Sequence, residues 1–124
     1  MSTLTHNPIT MFITITYIKL RSPWKFFQLT YNGYRIQQQL KGEKGFVKMK
    51  NTGFGLMHYT ISLWESEEDR TRFYRSGNHA DAMKKSAELS SEIGTLNYSG
   101  TNFPSWKEAK KRVHAEGKVI RFKD

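Results

Sequence analysis

The chain has 124 residues with 37% hydrophobic and 14% aromatic content, which fits one soluble globular domain with its own core. It contains no cysteine, and this excludes disulfides, thiolate zinc sites and thiolate-held iron–sulfur clusters. The formal net charge is +9, which raises nucleic acid, acidic lipid or an anionic small molecule as partners.

Acidic residues are interspersed through the middle of the chain, so we interpret the charge chiefly as a solvated basic surface. No recognisable nucleic-acid-binding motif accompanies it, and we do not expect nucleic acid as a partner. The alternative is anion binding, of nucleic acid or acidic lipid, through a basic C-terminal tail. The basic residues of this tail are Lys107, Lys110, Lys111, Arg112, Lys118, Arg121 and Lys123.

Residues 1–8 form an N-terminal extension that lacks the basic start of a signal peptide. The apolar run after it is interrupted by Thr10, Thr14 and Thr16, which predicts a strand and not a membrane span. We therefore expect a cytoplasmic protein. The four histidines have no close spacing, so the sequence indicates no metal site.

Residues 9–20 are rich in Ile, Thr, Phe and Tyr and predict a first strand with bulky residues on both faces. Ser22 and Pro23 then predict a helix start, and the helix ends near Gly42. This helix carries an aromatic stripe at spacings of three, four and three residues, formed by Trp24, Phe27, Tyr31 and Tyr34. The spacing predicts that the stripe faces the core.

Residues 46–50 and 54–64 alternate in polarity and predict two strands of an antiparallel hairpin. We place the turn at residues 51–53, which makes it longer than a tight two-residue turn.

Ser66, with Asp69 three positions on, predicts the cap of a helix over residues 67–76. Gly77 suits the left-handed end of that helix, and Asn78 predicts the start of a second one over residues 79–91.

Residues 94–98 predict a fourth strand, and the tail predicts a helix over 105–116 and an edge strand over 119–122. The order β-α-β-β-α-β is that of the ferredoxin-like split βαβ fold, an α+β antiparallel sheet with helices on one face. The expected domains are the extension at 1–8, the ferredoxin-like domain at 9–98 and a C-terminal helix and strand at 99–124. Because the other sheet face needs a cover, we expect a homodimer with two sheets face to face.

Two motifs resemble the dimeric α+β barrel superfamily, and within it the antibiotic-biosynthesis-monooxygenase-like and spheroidene-monooxygenase-like proteins. The first is Leu-Trp-Glu-Ser-Glu-Glu at residues 63–68, at a strand-to-helix junction. The second is Ser-Gly-Asn-His at residues 76–79, followed by a helix of small residues with Met83. The resemblance covers roughly residues 10–98 and implies a barrel-forming homodimer with a pocket for a hydrophobic small molecule.

Trp64 closes the predicted central strand, and His58, Thr60 and Ser62 lie on the same face at spacings of two. In the cofactor-independent oxygenases of the resembled group, a Trp here and an Asn four residues earlier help to form the pocket. This chain has Thr60 at the Asn position. The resemblance implies that Trp64 shapes the pocket and that His79 or His58 moves a proton.

The haem-degrading relatives of this group use an aromatic residue nine positions after the Trp and a His ten positions further. Those positions hold Phe73 and Met83 in this chain, so the haem-ligating His is absent there. His79 stands where the spheroidene-type motif has its His, and it is the candidate axial ligand if haem binds. A structural hydrogen bond at a helix start is the alternative interpretation of His79.

The sequence thus predicts either no cofactor or haem, and it leaves open whether the protein is an enzyme. The first hypothesis is a monooxygenase-like protein, of the antibiotic-biosynthesis or spheroidene type, with a conjugated or aromatic substrate. Its candidate catalytic residues are His79, Trp64 and His58, and its candidate substrate contacts are Thr60, Ser62, Phe73 and Met83. The second hypothesis is a non-catalytic ligand-binding or structural homodimer.

Overall fold

The computed structural model describes residues 10–122, except the side chains of residues 77 and 78. The predicted N-terminal extension and Lys123 therefore lie outside the described residues. A 3₁₀ turn at Pro23–Lys25 leads into the first helix. The strands and helices are β1 (Met11–Leu20), α1 (Phe26–Leu40), β2 (Phe46–Phe54), β3 (Met57–Trp64), α2 (Glu67–Tyr74), α3 (Gly77–Leu89), β4 (Ser90–Gly100), α4 (Trp106–Glu116) and β5 (Lys118–Arg121).

The five strands form one antiparallel sheet in the order β2-β3-β1-β4-β5. Strand β1 lies at the centre, where Ile15 pairs with Ile61 of β3 on one side and Leu96 of β4 on the other. This confirms the predicted ferredoxin-like α+β fold, with β5 added at the edge next to β4.

Helices pack on both faces of the sheet. Helices α1 and α2 bring Leu40 and Phe73 onto Trp64 on one face. Helix α4 places Ala109 and Val113 against Ile13, Ile15 and Ile61 on the other face, and all five of these side chains have no exposed surface. Within the predicted ferredoxin-like domain the helices lie on one face, as expected. The other face, for which we expect a second subunit as the cover, is covered by α4 of the C-terminal segment.

The tight turn of the β2–β3 hairpin lies at Gly55 and Leu56, because Phe54 pairs directly with Met57. Gly55 has a φ of 61°, the left-handed conformation that such turns require. The predicted loop at residues 51–53 is wrong. The glycine there, Gly53, is needed within the strand instead, because a Cβ at this position would overlap the ring of His58.

Helix α3 begins two residues earlier than predicted. The Ser76 hydroxyl accepts a hydrogen bond from the backbone N–H of His79 at 3.3 Å, so Ser76 is the cap and Gly77 is the first helical residue. The predictions that Gly77 ends a helix in a left-handed conformation and that Asn78 starts the next one are wrong. The predicted Ser66 cap of α2 is confirmed, since Ser66 Oγ accepts from Asp69 N at 3.1 Å.

The aromatic stripe of α1 is not in the core. Trp24, Phe27, Tyr31 and Tyr34 expose 79%, 70%, 62% and 59% of their surface. The opposite side of the helix carries half-buried Leu29 and Ile36 and buried Leu40, and it faces the protein instead. The sequence of α1 thus contains two apolar stripes, and the aliphatic one packs.

We expect Val113→Ala to lower the free energy of unfolding by about 2 kcal/mol, because Val113 has no exposed surface beneath α4. Chemical denaturation of both proteins measures this. Val47→Ala is the matched control: Val47 is 46% exposed on β2, and its loss should change stability by less than about 0.5 kcal/mol. Equal effects of the two substitutions would show that α4 does not cover the sheet in solution.

Candidate functional site

Trp64 lies at the end of β3, where the strand gives way to α2, and its side chain has no exposed surface. Its indole ring contacts Phe46 and Phe73, each with ring centroids 5.6 Å apart, and Tyr74 at 6.4 Å. The indole N–H donates to Ser62 Oγ at 3.3 Å, and Ser62 Oγ lies 3.4 Å from the Tyr74 hydroxyl. The end of β3 is thus a buried aromatic cluster with a short chain of polar groups inside it.

The break between α2 and α3 brings His79 to this cluster. The last turn of α2 carries Phe73 and Tyr74, and the Ser76 cap fixes His79 in the first turn of α3. The imidazole centroid consequently lies 5.1 Å from that of Phe73 and 4.7 Å from that of Tyr74. We call Ser62, Trp64, Phe73, Tyr74 and His79 together the aromatic cluster.

The position of α2 itself is set by charge at its start. Ser66 Oγ donates to Asp69 Oδ2 at 2.8 Å, and Arg72 lies 3.0 Å from the Asp69 carboxylate. The Ser66 hydrogen bond, together with that of Arg72, holds the pKa of Asp69 below its usual range. A carboxylate in this first turn also suits the helix dipole, so the segment that presents Phe73 and Tyr74 is well anchored.

His79 carries the unusual electrostatics of the site. Burial lowers its pKa, because a charged imidazolium would lose its hydration among the surrounding rings. Burial therefore favours the neutral imidazole over the charged one. Among the described residues, only His79 Nδ1 and Ser90 Oγ are buried side-chain polar atoms without a hydrogen-bond partner. A buried nitrogen of this kind has an unused capacity to bond a ligand atom.

The sheet face that packs against α1 and α2 carries hydroxyl and amide groups next to the aromatic cluster. Thr14, which pairs with Ser62 across the sheet, is 2% exposed and donates to Asn97 Oδ1 at 2.6 Å. Thr60 donates to Asn51 Oδ1 at 2.8 Å. An amide therefore stands beside Thr60, supplied by the neighbouring strand.

Sequence reasoning missed Tyr74, Thr14 and Asn51 as neighbours of the site. Tyr74 directly follows the predicted Phe73, and Thr14 occupies an alternating polar position of β1, so both had a local signal. Asn51 had none, because its place beside Thr60 depends on the β2–β3 register.

The structure separates His58 from the other predicted site residues. His58 lies six residues before Trp64 on β3, about 20 Å along the strand. Its ring packs on Phe26 at 5.3 Å, and its Nε2 lies 3.0 Å from the carbonyl oxygen of Gly55. His58 and Trp64 therefore lie at opposite ends of β3. Met83 is 40% exposed on α3.

Two concavities of the described surface lie between α1 and α3. The larger, about 470 Å³, is lined by Phe27, Gln28, Tyr31, Asn32, Lys85, Glu88 and Leu89. The smaller, about 70 Å³, is lined by Asn32, Arg35, Ile36, Gln39, Asp81, Ala82 and Lys85. Neither is lined by a member of the aromatic cluster.

A second polar network lies on the opposite sheet face, under α4. Tyr59 OH and His114 Nε2 are 2.7 Å apart, and the His114 ring stacks on that of Tyr17 at 4.5 Å. The Tyr17 hydroxyl donates to Glu92, which also accepts from Arg121 Nε at 3.0 Å. Burial, with the Glu92 contact second, raises the pKa of Tyr17 to about 12. These contacts join α4 and β5 to the sheet.

Within residues 10–122 no group of three or more His, Asp or Glu side chains could hold a metal ion. No helix in the same range is long and apolar enough to cross a membrane.

No protein-family description and no curated protein matches the sequence. Solved structures do match. A provisionally assigned antibiotic biosynthesis monooxygenase from Nitrosomonas europaea superposes with a TM-score of 0.69 at 13% identity, covering 82% of this chain and 100% of its own. The cofactor-independent oxygenase SnoaB from Streptomyces nogalater has a TM-score of 0.58 at 11% identity, covering 78% and 96%. A hydroxynitrile lyase from Passiflora edulis has a TM-score of 0.63 at 18% identity, covering 78% and 100%.

These similarities confirm the resemblance at the level of the fold. The chain has the ferredoxin-like α+β fold of the antibiotic-biosynthesis-monooxygenase-like structures. The same fold also carries a hydroxynitrile lyase, so it does not by itself define a reaction.

Because burial depresses the folded-state pKa of His79, the unfolded chain binds the proton first as the pH falls. The contribution of His79 to stability is therefore complete above the unfolded pKa of about 6.5 and is lost as the pH falls through the folded pKa. We expect His79→Gln to weaken this acid-side loss in thermal unfolding scans. His58→Gln, a histidine outside the cluster, should keep it. A His79→Gln profile parallel to that of the unmodified protein would contradict the assignment.

Proposed function

We propose that the chain is a monooxygenase-like protein that binds a hydrophobic, conjugated small molecule at the aromatic cluster. The observation that carries this proposal is the buried, unpartnered Nδ1 of His79 beside two aromatic rings, those of Phe73 and Tyr74. Aromatic side chains with a few convergent polar groups are the usual lining of such binding sites. A ligand oxygen or acidic C–H group would complete the bonding of His79.

The cluster would support oxygenation at an acidic CH₂ group that is flanked by conjugated rings. In the tautomer that carries its proton on Nε2, His79 Nδ1 is a base that accepts the CH₂ proton. The resulting anion is delocalised over the substrate, next to Trp64, and it supplies electrons to O₂. The overall change converts CH₂ and O₂ into C=O and H₂O, so atoms and electrons balance with O₂ as the oxidant.

The polar side of the sheet would orient the oxygen atoms of the substrate. Thr60 occupies the position of the Asn in the resembled oxygenases, and the amide of Asn51 stands 2.8 Å from the Thr60 hydroxyl. This pairing supports the oxygenase hypothesis, because β2 brings an amide to a position where β3 has none. Substitution of Asn51 would then impair the orientation of the substrate and leave the aromatic cluster intact.

The test measures O₂ consumption with a tricyclic aromatic ketone that has an acidic CH₂ group. We expect His79→Gln to lower the rate at least about 100-fold, the lower end of the effect of a general base. His58→Gln is the matched control and should leave the rate unchanged. Equal rates in all three proteins would remove His79 from the proposed mechanism, and an equal loss in both variants would contradict the separation of the two histidines.

A non-catalytic ligand-binding protein is the second candidate. It is favoured by Thr14, whose buried hydroxyl already donates to Asn97 Oδ1 at 2.6 Å. Quenching of tryptophan fluorescence by the same ketone, without O₂ consumption, would identify this case.

Haem is the less favoured ligand of His79. Met83 stands where the haem-degrading relatives have their ligating His, and the His79 imidazole already lies against the rings of Phe73 and Tyr74. We therefore expect titration with haemin to produce no stoichiometric Soret band. A saturable band that is lost in His79→Ala would overturn this expectation.

Three basic residues of the C-terminal tail make contacts within the fold. Arg112 bonds Glu116 at 3.0 Å and lies 3.9 Å from the Tyr98 ring, Arg121 bonds Glu92 at 3.0 Å, and Lys110 lies over Tyr59 at 5.1 Å. These contacts speak against the tail as an independent anion-binding module.

The expected homodimer stays a prediction from the resemblance. The packing argument for it was an uncovered apolar sheet face, and α4 covers that face. Sedimentation velocity would test it.

A further inference from the structure

The 3₁₀ turn and α1 display an unusual set of aromatic side chains to solvent. Trp24, Phe27, Tyr31 and Tyr34 are each more than half exposed and follow one another along one side of the segment. We call these four residues the aromatic face. A contiguous exposed apolar patch on a globular protein marks an interaction site.

Phe54 of the β2–β3 hairpin is also 93% exposed, but it is not part of this face. It pairs directly with Met57, whose side chain packs with the core on the α4 side of the sheet.

The segment that carries the aromatic face is basic. Residues 19–42 contain no Asp or Glu, and their basic residues are Lys19, Arg21, Lys25, Arg35 and Lys41. Arg35 and Lys41 are exposed, and Lys41 directly follows the last turn of α1. The charges of this segment are therefore all positive, and Glu88 of α3 is an acidic neighbour of Phe27 and Tyr31.

We propose that the aromatic face is a docking surface for an anionic lipid bilayer. Trp and Tyr are the residues that favour the boundary between headgroups and acyl chains. A helix with aromatic residues on one side and Lys or Arg beside them lies in that boundary, attracted by acidic headgroups. The inference concerns surface binding, and it is independent of the proposed reaction.

Two other occupants fit the charge pattern less well. A second copy of the chain would bring the same cations against each other, because a symmetric interface apposes identical surfaces. Single-stranded nucleic acid needs a positively charged groove beside its stacking rings. The groove beside Phe27 and Tyr31 contains Glu88 as well as Lys85. A bilayer, in contrast, needs only a flat apolar surface with cations around it.

The test is flotation of the full chain with vesicles of phosphatidylcholine, alone or mixed with phosphatidylglycerol. We expect binding to the mixed vesicles and much weaker binding to phosphatidylcholine alone. Trp24→Ala/Phe27→Ala should weaken the partition about 30-fold or more, since both rings leave water on binding. Val47→Ala/Ile120→Ala is the apolar control, because these side chains are 46% and 47% exposed on β2 and β5. It should bind as the unmodified protein does.

A second pair of variants separates this face from the net charge of the whole protein. Arg35→Gln/Lys41→Gln and Lys107→Gln/Lys111→Gln each remove two positive charges from exposed positions. We expect the first pair to weaken binding about 30-fold and the second pair to have little effect. All these residues are exposed, so thermal unfolding scans should show that the variants stay folded.

Three results would overturn the proposal. The first is no partition into mixed vesicles at low salt. The second is an equal loss in the two charge variants, or none in the aromatic variant, which would indicate binding by net charge alone. The third is absence of vesicle binding together with self-association or oligonucleotide binding that Trp24→Ala/Phe27→Ala abolishes, which would assign the face to a second copy or to nucleic acid.

Discussion

The burial of the central strand on both faces is the constraint on which the rest of this structure depends. Strand β1 pairs on both edges and carries bulky residues on both sides, so no surface of it can be left in water without cost. Ile13, Ile15 and Tyr17 need α4, while Phe12 packs into the group that contains Trp64. The C-terminal segment is for this reason part of the core of the protein and not an appendage to it. The same packing removes the simplest physical reason for a second subunit.

Two local features form the aromatic cluster: the end of β3, which carries Trp64, and the break between α2 and α3. Trp64 is held by the register of β3, and α2 is held at its start by Ser66 and Asp69. The eight-residue helix α2 brings Phe73 and Tyr74 onto the indole, and the Ser76 cap that follows sets His79 against those two rings. The preference of His79 for its neutral state is then a consequence of its surroundings, since burial penalises its charged form. His79 in this environment is a candidate for proton transfer. Both its contacts with Phe73 and Tyr74 and its lowered pKa support that role.

Apolar residues on one helix can either pack in the core or form an exposed surface, and α1 has residues of both kinds. Its aliphatic side packs onto the protein and its aromatic side faces solvent. Exposed aromatic rings add no burial energy to folding. Tyr and Trp next to cations are, however, suited to a hydrated, charged interface. The molecule thus separates an interior aromatic group, centred on Trp64, from an exterior one, centred on the start of α1.

The sequence by itself determined the order of strands and helices, the Ser66 cap and the fold class, because polarity alternation and capping chemistry act over a few neighbouring residues. It also picked out Trp64, Phe73 and His79, through motifs at a strand end and a helix start. It did not determine the side of α1 that packs, because Trp24, Phe27, Tyr31 and Tyr34 have as good a helical period as Leu29, Ile36 and Leu40. The tertiary structure decided that choice, and it also separated His58 from His79, brought Asn51 to Thr60 and placed α4 over the sheet. Each of these depends on contacts between residues that are distant in sequence, which local periodicity cannot specify.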